Sequence, residues 1–291
     1  MMFLFDRFGV KPGWKLKEDE YLNEAGIPMC KRCHTPRQAD IPVGKELRRV
    51  TALCRCQMEE RDQEEAQRKV RERQDTIARN RSIGLTDPFM RKHTFMSDEG
   101  YNPREMSIAR NYVRNWEEMR KRSEGLLIWG DVGTGKSYIA DCIGNALLEQ
   151  GVTVLITNFS RLLNRMSELQ YGDKNGFIDS LNSFELLILD DFGVERDSAY
   201  VREQCFNIID SRCRSGLPMI VTTNMSLKEM KNETDMGKRR IFDRLLEHNV
   251  LLNVNGQNIR KIHARQTMKD GNKYLCSHIP PKHPMPASKS V

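Results

Sequence analysis

The segment Gly130-Asp131-Val132-Gly133-Thr134-Gly135-Lys136-Ser137 constrains this chain more than any other. It fits G-x-x-x-x-G-K-[ST], a loop whose glycines let successive backbone N–H groups turn inward around phosphate oxygens. Such a loop needs a strand to deliver it and a helix to leave it, because the helix N-terminus adds partial positive charge at the same anion. Both flanks supply this: residues 126–129 are apolar, and 138–150 carry an amphipathic helical pattern. The expectation is an ATP or ADP site. Gly130, Gly133, Thr134 and Gly135 shape its cradle, Lys136 reaches the β- and γ-phosphates, and the Ser137 hydroxyl ligates Mg²⁺.

Further apolar, partly β-branched runs at 152–157, 186–189, 219–223 and 250–254 alternate with helical patterns. Strands spaced by helical connections predict βαβ units, a parallel sheet and right-handed crossovers, hence an α/β fold with helices flanking the sheet. The run at 186–189 ends in Asp190 and Asp191. Carboxylates at the tip of a buried strand are costly unless they face a cation or a polarised water. Asp190 is therefore expected to hold Mg²⁺ through its water shell, and Asp191 to orient the attacking water. The alternative is a strand end that merely reaches solvent. Glu is the more usual residue in the place of Asp191, which is one methylene shorter, so slow hydrolysis is expected. Asn224 ends the next strand and is placed to hydrogen-bond the same water.

Only 38% of the chain is hydrophobic and 30% is charged, which is thin for one globule of 291 residues. The sequence divides into a turn-rich, cysteine-bearing segment at 1–56, a charged helix at 57–82, a main α/β domain at 83–268 and a Pro-rich, disordered tail at 269–291. The charged helix is expected to be braced by pairs such as Glu64 with Arg68 and Lys69 with Arg73; binding DNA along its arginines is the alternative. The net charge of +7 permits nucleic acid as a partner without establishing it. No apolar run approaches a membrane span, and residues 1–5 lack the basic flank of a secretion signal.

Eight cysteines without export features point to the reducing cytoplasm, where clustered cysteines more often hold metal than form disulfides. Cys30-x-x-Cys33 and Cys54-x-Cys56 form two short-spaced pairs whose thiolates can converge on Zn²⁺ in a closed, structural site. His34 is the alternative for one ligand. Cys142, Cys205 and Cys213 read as small buried residues.

The order of these motifs, with Asp190-Asp191-Phe192-Gly193, Thr222-Thr223-Asn224 and Arg240-Ile241-Phe242-Asp243-Arg244-Leu245, resembles the AAA+ ATPases of the DnaC/IstB kind over about residues 84–265. It is most similar to bacterial and phage replicative helicase loaders. The resemblance implies that Arg244, with Arg240 nearby, reaches a neighbouring subunit's γ-phosphate as an arginine finger, and hence self-association through the ATPase domain. The alternative is a basic helix face paired with Asp243 and Glu247. It also implies that Arg260, in Gly256-Gln257-Asn258-Ile259-Arg260, senses nucleotide within its own subunit, and that Arg161, Arg165, Tyr171 and Lys174 contact single-stranded DNA. The alternative there is an amphipathic helix with exposed arginines. The resemblance further implies that the N-terminal zinc module contacts a DnaB-type hexameric helicase; the apolar residues Met2 to Phe5 are a candidate part of that contact, with a disordered terminus as the favoured alternative. A transposition helper ATPase of the IstB type and a zinc-bearing adaptor that hydrolyses nothing are the two other functions to weigh.

Overall fold

The computed structural model describes residues 15–275 apart from 45, 86, 171–172 and 195–197. The apolar start at residues 2–5, Tyr171 and the expected tail from Cys276 onward lie outside the described residues, while residues 269–275, expected to begin a disordered tail, are helical. The chain divides into two compact units, Met1–Asp75 and Thr76–Val291.

In the first unit, β1 (Glu20–Leu22) pairs antiparallel with β2 (Pro28–Cys30), and β3 (Gln38–Val43) with β4 (Glu46–Thr51). The β1–β2 turn closes because the Asn23 carboxamide oxygen accepts from the N–H groups of Ala25 and Ile27, leaving Gly26 at φ 71°. Among the described residues, the buried hydrophobic side chains of this unit are Cys30 and Cys54. The described residues alone bury too little apolar surface to hold a fold by burial.

Helix α1 (Arg55–Gly84) follows, and the division between the units falls inside it. It has the charged surface expected, but with different partners. Lys69 reaches Glu65 at 2.8 Å, Arg68 reaches Glu72 at 3.6 Å and Arg55 reaches Glu59 at 3.8 Å. Lys69 and Arg73 carry like charge and cannot pair, so the bracing acids lie one turn away in the other direction.

The second unit continues through α2 (Pro103–Arg114), α3 (Trp116–Lys121), β5 (Gly125–Trp129), α4 (Lys136–Gln150), β6 (Val154–Asn158), α5 (Phe159–Glu168), α6 (Asp173–Leu181) and β7 (Leu186–Phe192). Then come α7 (Ala199–Arg214), β8 (Met219–Thr223), α8 (Leu227–Lys231), α9 (Met236–His248), β9 (Asn249–Asn253) and α10 (Ile259–Leu275). The strands form one five-stranded sheet in the order β6-β7-β8-β5-β9, all parallel. Alternation along each strand divides the core into two layers. Leu126, Ile128, Ile156, Ile188 and Ile220 pack on the face that meets α2 and α4. Leu127, Leu155, Leu187, Leu189 and Val221 pack on the other, against α5, α7 and α9. Parallel order brings the C-terminal ends of β5, β7 and β8 to one edge, where ligands bind in open α/β sheets.

Candidate nucleotide-binding site

The phosphate loop links β5 to α4, and its glycines are where the backbone demands them. Gly130, Gly133 and Gly135 have φ of 146°, 81° and 100°, in or near the left-handed region closed to most side chains. At Gly133 a Cβ would also sit 2.5 Å from the Asn258 side chain. The loop is held from behind. Asn102 Nδ2 donates to the Thr134 carbonyl at 2.8 Å, Asn258 Nδ2 to the Val132 carbonyl at 2.8 Å, and the Ile259 N–H to the Gly133 carbonyl at 2.8 Å. Thr134 is buried and donates its hydroxyl to the Asp131 carbonyl at 2.9 Å.

Three strand ends meet in one hydrogen-bonded chain. Lys136 Nζ donates to the Gly130 and Asp131 carbonyls at 2.9 and 2.7 Å and to Asn224 Oδ1 at 2.7 Å. Asn224 Nδ2 donates in turn to Asp191 Oδ1 at 3.0 Å. Thr222, quoted in the sequence only as part of a motif and given no role, ties the carboxylates together. Its hydroxyl donates to Asp190 Oδ1 at 2.6 Å and accepts from the Asp191 N–H at 2.8 Å. Burial pulls the Lys136 ammonium below its ordinary pKa, against the opposing pull of Asp191; Arg260 pushes the same way as burial. Asp191 sits at φ 59°, where the β7–β8 register shifts between Leu189 and Phe192.

Gly133, Gly135, Lys136, Ser137, Asp191, Asn224 and Arg260 line one cavity of ≈ 810 Å³. Its remaining wall was not foreseen, because it combines the segment before α2 with α4 and α10: Phe89, His93, Tyr101, Tyr138 and His263 give it an aromatic side. His93 Nδ1 lies 2.6 Å from Asp141 Oδ2. Burial raises the Asp141 carboxyl to about 6, with His93 pulling the other way. Both residues carry no motif; only the pairing of a buried acid with a distant ring marks them.

Arg240 and Arg244 lie elsewhere on this chain. With Phe206, Asp243 and Glu247 they line a separate hollow of ≈ 300 Å³. Arg244 pairs with Asp210 at 3.2 Å and Glu247 at 3.3 Å, and not with Asp243, since adjacent residues on a helix do not face each other. In the expected DNA segment Arg161 and Arg165 are exposed on α5, and Arg165 pairs with Glu168 at 3.1 Å. Lys174 donates to the Tyr200 hydroxyl at 3.1 Å and lies 5.0 Å over that ring, so an aromatic from α7 accompanies it.

In the first unit the thiols of Cys30, Cys33, Cys54 and Cys56 lie within 4.8 Å of one another, with Cys30 and Cys56 at 3.6 Å and Cys54 and Cys56 at 3.2 Å. Sulfurs around a tetrahedral Zn²⁺ stand about 3.8 Å apart. The Thr35 hydroxyl holds the Cys33 thiol down to about 5, while Cys54 pushes Cys56 up to about 12. Four thiols this close need a cation before all can ionise, and the donor set fits one soft divalent metal. His34 is not in the group: its Nδ1 faces the Tyr21 hydroxyl at 3.1 Å.

A phosphate loop between strand and helix, with carboxylates and an asparagine on the neighbouring strand ends, defines a P-loop nucleotide-binding protein of the α/β class. The family model described as IstB-like ATP binding protein matches residues 61–267. The chain belongs to this family of AAA+ ATP-binding proteins. It is 30% identical over 143 residues to the replicative helicase loader DnaC of Escherichia coli (strain K12), covering 48% of this chain and 56% of that protein. The chain thus spans about half the length of the curated relatives it matches. The crystal structure of the DnaC helicase loader superposes with a TM-score of 0.51 at 23% identity, over 58% of this chain and 99% of that one. That of DnaI gives 0.51 at 21%, over 62% and 99%. These likenesses establish the fold. Among the described residues, no helix is long and apolar enough to cross a membrane.

Proposed function

We propose that this protein is an ATP-dependent loader of a DnaB-type hexameric replicative helicase onto single-stranded DNA, with ATP hydrolysis acting as its switch. The observation that carries the reading is the chain from Lys136 through Asn224 to Asp191, which puts cation, polar relay and carboxylate on one cavity wall. Lys136 would exchange its carbonyl partners for β- and γ-phosphate oxygens. Ser137 and Asp190 would hold Mg²⁺, which spreads the developing negative charge of phosphoryl transfer. Asp191, aligned by Asn224, would accept the proton of the attacking water. Arg260 would report the bound phosphates to α10.

Arg244, with Arg240, would act on the site of an adjacent copy, so self-association would complete the catalytic set. Releasing Arg244 from Asp210 is then the local event that assembly must drive. Arg161, Arg165, Tyr171 and Lys174 would hold DNA. Cys30, Cys33, Cys54 and Cys56 would hold Zn²⁺ and fold the helicase-contacting unit, all in the bacterial cytoplasm. The relatives named as helicase loaders support this reading. The family's IstB-like description favours a second one, a helper ATPase in transposition.

Pull-down of the full chain with a hexameric replicative helicase, run with ATP and ADP, tests the proposal. We expect capture by wild type and by Lys136→Ala, with ATP binding weakened at least tenfold in the variant. No capture in either nucleotide state would remove the loader reading, and capture of a transposase in its place would establish the second.

A further inference from the structure

Helix α10 carries Lys261, Arg265, Lys269 and Lys273 at strict four-residue spacing. Cations repeated at i, i+4 repel one another along a helix surface, and a solvated helix normally offsets this with carboxylates at the same spacing. Helix α1 does so, through Glu59, Glu65 and Glu72. Helix α10 does not. All four cations are exposed, and none has an ion-pair partner among the described residues. The one carboxylate of the helix, Asp270, is taken by Gln266 at 3.1 Å. No residue of α10 is buried.

We infer that the Lys261–Arg265–Lys269–Lys273 stripe of α10 is a binding site for the phosphate backbone of single-stranded DNA, separate from the α5–α6 segment. Successive members of the stripe are about 6 Å apart along the axis, a spacing that suits consecutive phosphates of an extended strand. The stripe starts roughly opposite Ile259 and Ile262, the half-buried residues of the first turn, and winds slowly round the helix. A membrane surface is the poorer match, because the apolar side chains of α10 do not gather on one face. Tyr274, 77% exposed beside Lys273, offers a ring to an unpaired base, which a duplex would not present.

The start of α10 is fixed to the phosphate loop through Ile259 and Asn258, and His263 Nε2 lies 2.9 Å from Glu99 Oε2 on the cavity rim. The helix that would hold DNA therefore begins on the loop that would hold nucleotide. This inference shares single-stranded DNA with the loader reading but needs no helicase.

The test uses the full chain and a fluorescein-labelled oligo-dT strand, with anisotropy followed between about 50 and 200 mM salt. Neutralising three cations, as Arg265→Gln, Lys269→Gln and Lys273→Gln together, should flatten the slope of log K against log salt by about 2, at ~0.7 per side chain. Affinity at the low-salt end should fall tenfold or more by the same release of counterions. Tyr274→Ala should weaken binding with the slope unchanged. An Arg161→Ala, Arg165→Ala variant is run in parallel. If it loses DNA while the α10 variant keeps wild-type affinity and slope, the stripe is not a DNA site and the α5 reading stands. Binding of the stripe to phosphatidylserine vesicles and not to the strand would overturn the inference, as would a preference for blunt duplex that Tyr274→Ala leaves untouched.

Discussion

Thr222 shows how much one hydroxyl can organise. It donates to Asp190 and accepts from the backbone of Asp191, so it fixes the spacing of the two carboxylates. Thr222→Val keeps the shape and removes both bonds. ATP hydrolysis is expected to fall about 10–100-fold, the cost of a misplaced catalytic group, while binding of a nonhydrolysable analogue stays within a few-fold. Thr222→Ser should restore turnover; a serine variant as slow as the valine one would count against this role. Asp141 tests electrostatics instead. Its carboxyl is held near 6 in the fold against an ordinary 3.8, chiefly by burial. A raised carboxyl pKa stabilises the fold below about 3.8, and that contribution is lost as pH rises through about 6. The swing is roughly 3 kcal/mol. Asp141→Asn cannot ionise, so its melting temperature relative to wild type should climb between pH 4 and 7. A pH-independent difference would show that burial of this charge is not felt.

Among the elements, the phosphate loop and α10 depend on each other through Gly133. Gly133→Ala would bring a Cβ within 2.5 Å of the Asn258 side chain and place it at φ 81°. Nucleotide affinity is expected to drop at least tenfold, since strain at a left-handed position alone costs roughly 1–2 kcal/mol. Adding Asn258→Gly should recover part of the loss by removing the clash and none of the strain. Full recovery, or none, measured by titration with a fluorescent ATP analogue, would separate the two causes. The strands and the loop were legible because period-2 alternation and fixed glycine spacing are local signals. Asp191 was legible as a carboxylate, but its left-handed backbone was not; that conformation gives a physical reason for Asp where Glu is more usual, because short polar side chains tolerate it. Arg212 left no trace at all. It reads as a basic residue in the last turn of α7, yet it is buried and donates to the carbonyls of Leu181, Phe184, Glu185 and Pro218. Those acceptors sit at the end of α6, on the α6–β7 connection and on the α7–β8 connection, so no short window of sequence could show them together. The aromatic wall of the nucleotide cavity escaped for the same reason.

For the molecule as a whole, the two units differ in how much apolar surface their described residues bury. The unit from Thr76 onward buries two apolar layers against a five-stranded sheet. Among its described residues, the unit up to Asp75 has Cys30 and Cys54 as its buried hydrophobic side chains. A metal held by the four thiolates would contribute folding free energy to this unit, as structural metals do in small modules. Purified protein should carry one zinc per chain, measured by elemental analysis. Chelation, or Cys30→Ser, should abolish a separate unfolding transition of the first unit. The remaining transition should keep its midpoint, and affinity for an ATP analogue should stay within about two-fold, because the cysteines and the nucleotide-site residues belong to separate compact units and residues without shared partners are nearly additive. A parallel loss of nucleotide binding would mean that the metal supports both units. Retention of both transitions after chelation would mean that it supports neither, and the four thiols would then need another explanation for lying within 4.8 Å of one another.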